Sequence, residues 1–554
     1  MKRLPIVAAL AVAASTLVAQ PAAAATAPPT QLAGDWISTQ LTDGIAVGDF
    51  ADIGLTIDAG LALESMGDTA RAELIGDSIA GTLVTSEDFP YGYAASDEYD
   101  WQPPYDFVQV GRYANATAKA AAFTGRIGRD PSTAYDSIDL MTQLEELTDD
   151  TTGVIADDSS FGDYANAIGQ AFAVEALARA GSDEAAAATD ALLAQQCPAG
   201  YFLFTLGATS CGDVPSADTT ALAVISLRES GIGSTKVAAA ISLATQWLES
   251  VQLPDGSFPG DASAPGKNAN STGLAGWALG EAGRTATAAR AAAWTRGLQA
   301  ADPGACATQA PTGAIAYNAE DLASGRTGGL GAKTGVWRRA TFQAAPVLRW
   351  APPASGALGL AAPASAAASS KVDVVVRGLA AGEHGCVTNG SAKRLVTGTG
   401  ADLAVSFDLP ATVPAAHTFT ITTLSGAQSA TTTVAAPSAP APAPVVGDLA
   451  VAKVEKVGRN NRFKVSVTCD AAQPCTGKIK VRTATKVERA NDTLARLVMA
   501  KSAYEVQPGR TSKVTLKLTK PARAVLGAKR IRVVATQTAR GAEPVATKFW
   551  LRRK

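Results

Sequence analysis

The densest chemistry in this 554-residue chain lies between Ser86 and Phe107, SEDFPYGYAASDEYDWQPPYDF. Tyr91, Tyr93, Tyr99, Trp101 and Tyr105 present flat apolar faces with polar edges, and Glu98, Asp100 and their acidic neighbours supply acceptors for hydroxyl groups. That mixture, with no Lys or Arg in the segment, suits a sugar or peptide ligand. A second acidic stretch carries Asp157 and Asp158. Two carboxylates across a cleft are what glycoside hydrolysis needs, so Glu98, Asp100, Asp157 and Asp158 are the candidates for an acid and base pair. Calcium is a weaker reading, because the D-x-D-x-D-G spacing is absent.

The opposite charge collects at the other end of the chain. Asp448–Lys554 holds 25 Lys and Arg against 7 Asp and Glu, while the remainder holds 23 against 43. Lys478, Lys480 and Arg482 alternate with Ile479 and Val481; Lys513 and Lys517 alternate with Val514 and Leu516; Arg530 and Arg532 flank Ile531. On a strand, alternate residues share a face, so these cations are expected to form a basic surface for an anionic polymer.

Six cysteines fit an oxidising compartment. Cys197 with Cys211 and Cys469 with Cys475 bracket short loops and are read as local disulfides, which leaves Cys306 and Cys386 for each other. Residues 1–25 read as a secretory signal: Lys2 and Arg3, a short apolar run, then Ala23-Ala24-Ala25. No other segment is apolar for long enough to span a membrane.

These residues must be positioned by elements that the sequence also declares. Ala- and Leu-rich helical runs end at Gly67, Gly125, Gly181, Gly231 and Gly283, with gaps of 58, 56, 50 and 52 residues. A repeat of that length holds two helices, and stacked repeats bury a shared core. A sixth copy runs from Leu298 to Trp350. Between paired helices sits a second signature, Gln196-x-x-x-Gly200-Tyr-Phe202 and Gln252-x-x-x-Gly256-Ser-Phe258, with a weaker copy at Gln40 and Gly44. Asp52, Asn166, Asp218 and Asn270 stand where inner helices begin and are candidate N-caps.

These motifs resemble the prenyltransferase and squalene-oxidase repeat. The resemblance spans about residues 31–350 and implies the α/α-toroid shared by terpene cyclases, protein prenyltransferases, cobalamin carriers and the complement thioester domain. It also implies residues that are missing here. The stretch matching the cyclase D-x-D-D-T-A motif is Ser216-Ala217-Asp218-Thr219-Thr220-Ala221, with a single aspartate. The prenyltransferase zinc site needs a histidine in the toroid, and His384 and His417 lie outside it. No cysteine opens a Cys-Gly-Glu-Gln run.

The expected architecture is therefore multidomain. An all-α toroid of about six helix pairs (26–350) is followed by a linker (351–370) and a small immunoglobulin-like β-sandwich (371–434). A Pro/Ala linker (435–444) then leads to a basic β-sandwich (445–554). The expected function is non-catalytic binding by an exported, envelope-associated protein without a cofactor. A ligand would sit at the toroid mouth, contacted by Asp218 and the aromatic loop, and the basic module would hold envelope polysaccharide rather than nucleic acid. A carbohydrate-active enzyme and a small-molecule carrier are the alternatives.

Overall fold

The computed structural model describes residues 28–48, 51–85, 98–102, 106–135, 138–159, 162–208, 210–211, 215–261, 264–390, 392–411, 415–435, 445–488, 494–527, 529–539 and 542–554. The expected signal segment and nearly all of the Pro/Ala linker lie outside them. Two compact units divide the chain, 1–436 and 437–554.

In the first unit the helices in chain order are α1 Pro29–Thr39, α2 Ile53–Ser65, α3 Thr69–Thr85, α4 Ala114–Arg126, α5 Leu140–Glu146, α6 Ala167–Ala180 and α7 Ala185–Leu193. There follow α8 Ala217–Glu229, α9 Thr235–Val251, α10 Ala269–Glu281, α11 Thr285–Leu298, α12 Ala319–Gly328 and α13 Thr334–Ala344, the last prolonged by a 3₁₀ segment, Ala345–Trp350. Helix α2 packs on α4, α4 on α6, α6 on α8, α8 on α10, α10 on α13 and α13 back on α2, which closes a ring. Their partners α3, α5, α7, α9 and α11 lie outside, and α1 packs on α13 and its 3₁₀ segment as the sixth outer helix. The inner helices are buried around most of their circumference, as in α6 from Ala167 to Leu177. This explains their Ala- and Gly-rich composition: neighbouring backbones approach closely, and Gly273 has Ala344 Cα where a Cβ would come within 2.3 Å.

One local device recurs in five of the six helix pairs. A residue two positions after a loop glycine donates its backbone N–H to a threonine hydroxyl on an inner helix, in the first turn of α2, α8 and α10 and further along α13. The pairs are Ala46 to Thr56 Oγ1 (2.9 Å), Phe202 to Thr220 Oγ1 (3.1 Å), Phe258 to Thr272 Oγ1 (2.9 Å) and Ile315 to Thr341 Oγ1 (2.8 Å). The signature glutamine ties the same loop to an outer helix. Gln196 Nε2 donates to Gly200 O and to Ala240 O of α9, and Gln252 Nε2 to Gly256 O and Thr287 O of α11. Gln299 repeats the bond pattern with a longer spacing, donating to Gly313 O and to Pro29 O at the start of α1. The ring is thus closed by the N-terminal helix. In the α6 unit a single residue does both jobs: Gln170 accepts from Ile155 N and donates to Gly153 O and Ala188 O.

Helix ends follow the expected glycines with one exception. Gly67, Gly181, Gly231 and Gly283 have positive φ, but in the second unit the left-handed residue is Gly128, because α4 runs on through Arg126. Asp52 and Asn166 cap α2 and α6 as expected. Ser216 and Asn268, not Asp218 and Asn270, cap α8 and α10.

The strand-rich part of this unit starts earlier than the patterning implies. Gly359–Ala361 pairs with Lys371–Arg377, and Ser365–Ala367 pairs in parallel with Gly426–Ala435, so the expected connector supplies two strands. Their Gly- and Ala-rich sequence lacks the alternation that marks a strand. A three-stranded and a five-stranded sheet share a core of Val374, Phe407, Phe419 and Ile421. This module is fastened beside α11 by the Cys306–Cys386 disulfide and by Lys393 Nζ donating to Ala305 O (2.6 Å). Cys197–Cys211 and Cys469–Cys475 are also formed, so the three expected pairings are those observed.

The second unit also has two sheets around one core. The five-stranded sheet has the order Val454–Val457, Val545–Arg553, Ile531–Thr538, Cys475–Thr483, Val498–Val506. The three-stranded sheet has the order Asp448–Ala450, Arg462–Cys469, Arg510–Lys517. Phe463, Ile479, Leu516 and Phe549 fill the space between them.

Ring closure is testable at Gly313, whose φ is +95° and whose Cβ would lie 2.0 Å from Leu32 O of α1. Gly313→Ala should cost roughly 3 kcal/mol in chemical denaturation through combined strain and clash. Gly207→Ala, at φ +70° with nothing within 4 Å, should cost only about 1 kcal/mol.

Candidate functional site

The inner helices run parallel, with Asn115 of α4 beside Gly169 of α6 and Gly273, Gly276 and Gly280 of α10 in turn against Ala344, Val347 and Trp350, so their positive dipole ends point to one mouth. An open cavity of about 510 Å³ lies there, between the starts of α2, α10 and α13. Asp52, Asn270, Tyr317, Arg338 and Arg339 contribute its polar lining, and Leu55 and Val336 its apolar part.

The positions two residues beyond the N-caps carry this chemistry. Asn270 donates through Nδ2 to Gln343 Oε1 (2.5 Å), while its Oδ1 is shielded from solvent and has no partner. Asp218 occupies the equivalent position in α8, and its Oδ1 is likewise shielded and without a partner. Burial pushes the Asp218 carboxyl up to about 6, a hydrogen bond from Ser271 only partly offsets this, and the charge of Asp261 adds to the rise. Burial, followed by the charges of Asp218, Asp261 and Asp321, raises the Tyr317 phenol. On the opposite side of the cavity the lining is cationic. Arg338 donates to Val47 O and to Gln40 Oε1 (3.2 Å), and Arg339 is exposed.

Below the mouth the ring interior is polar and occupied. Asn270 leads to Gln343, Gln343 Nε2 to Asp58 Oδ2 (3.5 Å), and Asp58 Oδ1 to Lys119 Nζ (2.6 Å). Lys119 also donates to Gly54 O (2.9 Å). A hydrocarbon placed here would strip water from an ion pair without replacing it, which disfavours an isoprenoid occupant. Toward the far end lie Arg126, bidentate to Glu175 (2.5 and 2.7 Å) and fully charged, and Arg179 paired with Glu229 (2.6 Å), next to an open cavity of about 470 Å³ lined by Glu64, Glu229, Trp277, Glu281 and Arg349. Guanidinium groups at the C-terminal ends of helices meet the favourable end of the dipole.

The aromatic loop is only partly described. Tyr91, Tyr93 and Tyr105 lie outside the described residues, as do the side chains of Glu98, Tyr99, Asp100 and Trp101. The last four belong to the strand Glu98–Gln102, antiparallel to Asp106–Arg112. Asp157 is engaged locally: Oδ1 accepts from Ala114 N (2.7 Å) and Oδ2 from Tyr164 N (2.9 Å). Asp158 is exposed and paired with Arg112 (3.2 Å).

A second cavity, about 360 Å³, lies between the ring and its β-module, lined by Leu32, Arg296, Pro352, Glu383 and His384. Arg296 and Glu383 form an ion pair there (3.4 Å). Burial and the Arg326 charge push His384 down to about 4, so it is neutral near pH 7.

In the second unit Lys478, Lys480, Arg482 and Arg532 are exposed on the five-stranded sheet, and Arg530 lies over Trp550. Lys513 and Lys517 are exposed on the three-stranded sheet instead. The seven cations therefore do not share one face. Their i, i+2 spacing was legible in sequence, but the sheet to which each strand belongs was not.

No family model and no curated protein matches this chain. Among solved structures it is similar to a glycosidase, with 15% identity over 58% of this chain and 97% of that one and a TM-score of 0.38. It is also similar to the type II terpene cyclase MstE from Scytonema (14% identity, 58% and 96% covered, TM-score 0.41). A protein from Actinoplanes shows 16% identity, with 58% and 98% covered and a TM-score of 0.39.

The raised Asp218 carboxyl sets a pH dependence. The folded state holds this proton more tightly than the unfolded chain, so its stabilising contribution is present below about pH 4 and is lost as pH rises through about 6. Asp218→Asn should therefore be the more stable protein at pH 7, by up to about 3 kcal/mol. The difference should shrink toward zero below pH 4, as followed by thermal melting across pH.

Proposed function

We propose that this is an exported binding protein whose ring mouth holds a small polar ligand. Three disulfides fit an oxidising compartment, and no helix among the described residues is long and apolar enough to cross a membrane. The observation that carries the reading is Asn270. Its Oδ1 is a buried acceptor without a partner at the edge of a cavity of about 510 Å³, and such an atom is costly unless a ligand or water supplies a donor.

The lining selects the ligand. Asn270 and Asp52 accept from hydroxyl groups, while Arg338, Arg339 and the helix N-termini favour an anionic group on the opposite side. A small hydroxylated acid satisfies both. The polar interior below gives no room for a long apolar chain. Asp157, with both carboxylate oxygens taken by backbone N–H groups, serves the fold better than an acid–base pair.

The test is native mass spectrometry of the mature protein from culture medium, with a thermal-shift screen of sugar acids and other hydroxylated acids. A co-purifying or stabilising acid should raise the melting temperature of the parent. Asn270→Leu and Arg339→Ala should each weaken its binding about tenfold. An apo mass together with no shift from any such acid removes the reading.

A further inference from the structure

The exposed face of the five-stranded sheet in the second unit has a charge distribution that stability alone does not favour. On the strand Cys475–Thr483, Lys478, Lys480 and Arg482 point outward while Ile479 and Val481 are buried. Lys480 stands directly opposite Lys501 of the neighbouring strand. At the other edge Lys456 pairs with Arg552. Between these edges Lys548 and Arg532 are exposed on the two central strands. Like charges directly opposite one another on a sheet are destabilising. Among the described strand residues, Glu505 is the single outward carboxylate on the same face, at its end. Among the described residues, no ion pair forms anywhere in this unit.

The centre of the face is built rather than merely charged. Arg530 lies 4.7 Å and Arg532 5.9 Å from the Trp550 ring, so the indole holds two guanidinium groups in place with their donors free. Covered in this way, Trp550 offers neither an open face for a nucleic-acid base nor an apolar wedge for a bilayer. Cations repeat about every 7 Å along a strand and about 5 Å between strands. An extended polyanion lying across this face would meet Lys501 and Lys480 at one side of the sheet and Arg532, Lys548 and Arg552 toward the other.

We propose that this face, with Lys480, Lys501, Arg530, Arg532 and Lys548 as its cations, binds an extended anionic glycopolymer. Lys513 and Lys517, on the opposite sheet, take no part. The assignment goes beyond the ring mouth and stands or falls independently of it.

The mature full-length protein would be titrated with polygalacturonate and with a glycerol-phosphate glycopolymer over a range of salt. Single-stranded DNA of matched charge and vesicles of phosphatidylglycerol and phosphatidylcholine would serve as competitors. The expected result is glycan binding that falls steeply with salt through counterion release. Lys480→Gln/Lys501→Gln should weaken it about tenfold or more and flatten the log–log salt slope by about one to two. The same variant should melt no lower than the parent, since it relieves a like-charge pair. Lys513→Gln/Lys517→Gln should stay within about threefold of the parent. Binding to only one of the two glycans supports the proposal and names the anionic group. No glycan binding at low salt, equal losses in the two double variants, or tighter binding to DNA or vesicles than to either glycan would overturn it.

Discussion

The helical unit depends on one hydrogen bond, made repeatedly: a loop N–H donated to a threonine hydroxyl on an inner helix, as from Phe202 to Thr220 and from Phe258 to Thr272. The donor is buried, and leaving it unpaired would cost about 1–3 kcal/mol. The bond holds the loop against the inner helix, while the adjoining glutamine holds the same loop against the next outer helix. Repeated around the molecule, that fixed angle brings Gln299 to the start of α1, so the chain closes on its own N-terminal helix.

Closure has two consequences for chemistry. Parallel inner helices bring all their positive ends to one mouth and all their negative ends to the other. The far end holds Arg126 and Arg179 against Glu175 and Glu229. The mouth keeps Asn270 with an unpaired oxygen beside a cavity. The chain of contacts from Asn270 through Gln343 and Asp58 to Lys119 makes the interior polar. The same helix architecture that could enclose a hydrocarbon here surrounds an ion pair.

The β-rich parts solve different problems. The module beside α11 is fixed to the ring by a disulfide and buries a neutral His384 at the junction. The second unit instead keeps like charges opposite one another across a sheet, with Lys480 facing Lys501. Like charges also face each other at the opposite edge, Lys456 against Arg552, and these pairs oppose folding, which is the ground for proposing that the face binds an anionic partner.

Much of this was readable in the chain. The glycine period announced helix pairs, the cysteine spacing announced the disulfides, and alternation announced the strands of the second unit, because each is a local rule with a local physical cause. The exceptions have local causes too. Gln299 and Gly313 escaped the signature because an insertion separates them, and Gln170 escaped because it replaces two residues. The connector strands escaped because Ala and Gly carry no alternation. What the tertiary structure alone decided is which local features meet. Ring or arc, the shared edge of Asn270 with Arg339, the cap role of Ser216 in place of Asp218, and the separation of Lys513 from Lys480 all depend on contacts between residues far apart in sequence. A periodic sequence repeats its angles but does not state their sum, and that sum is what makes a closed ring.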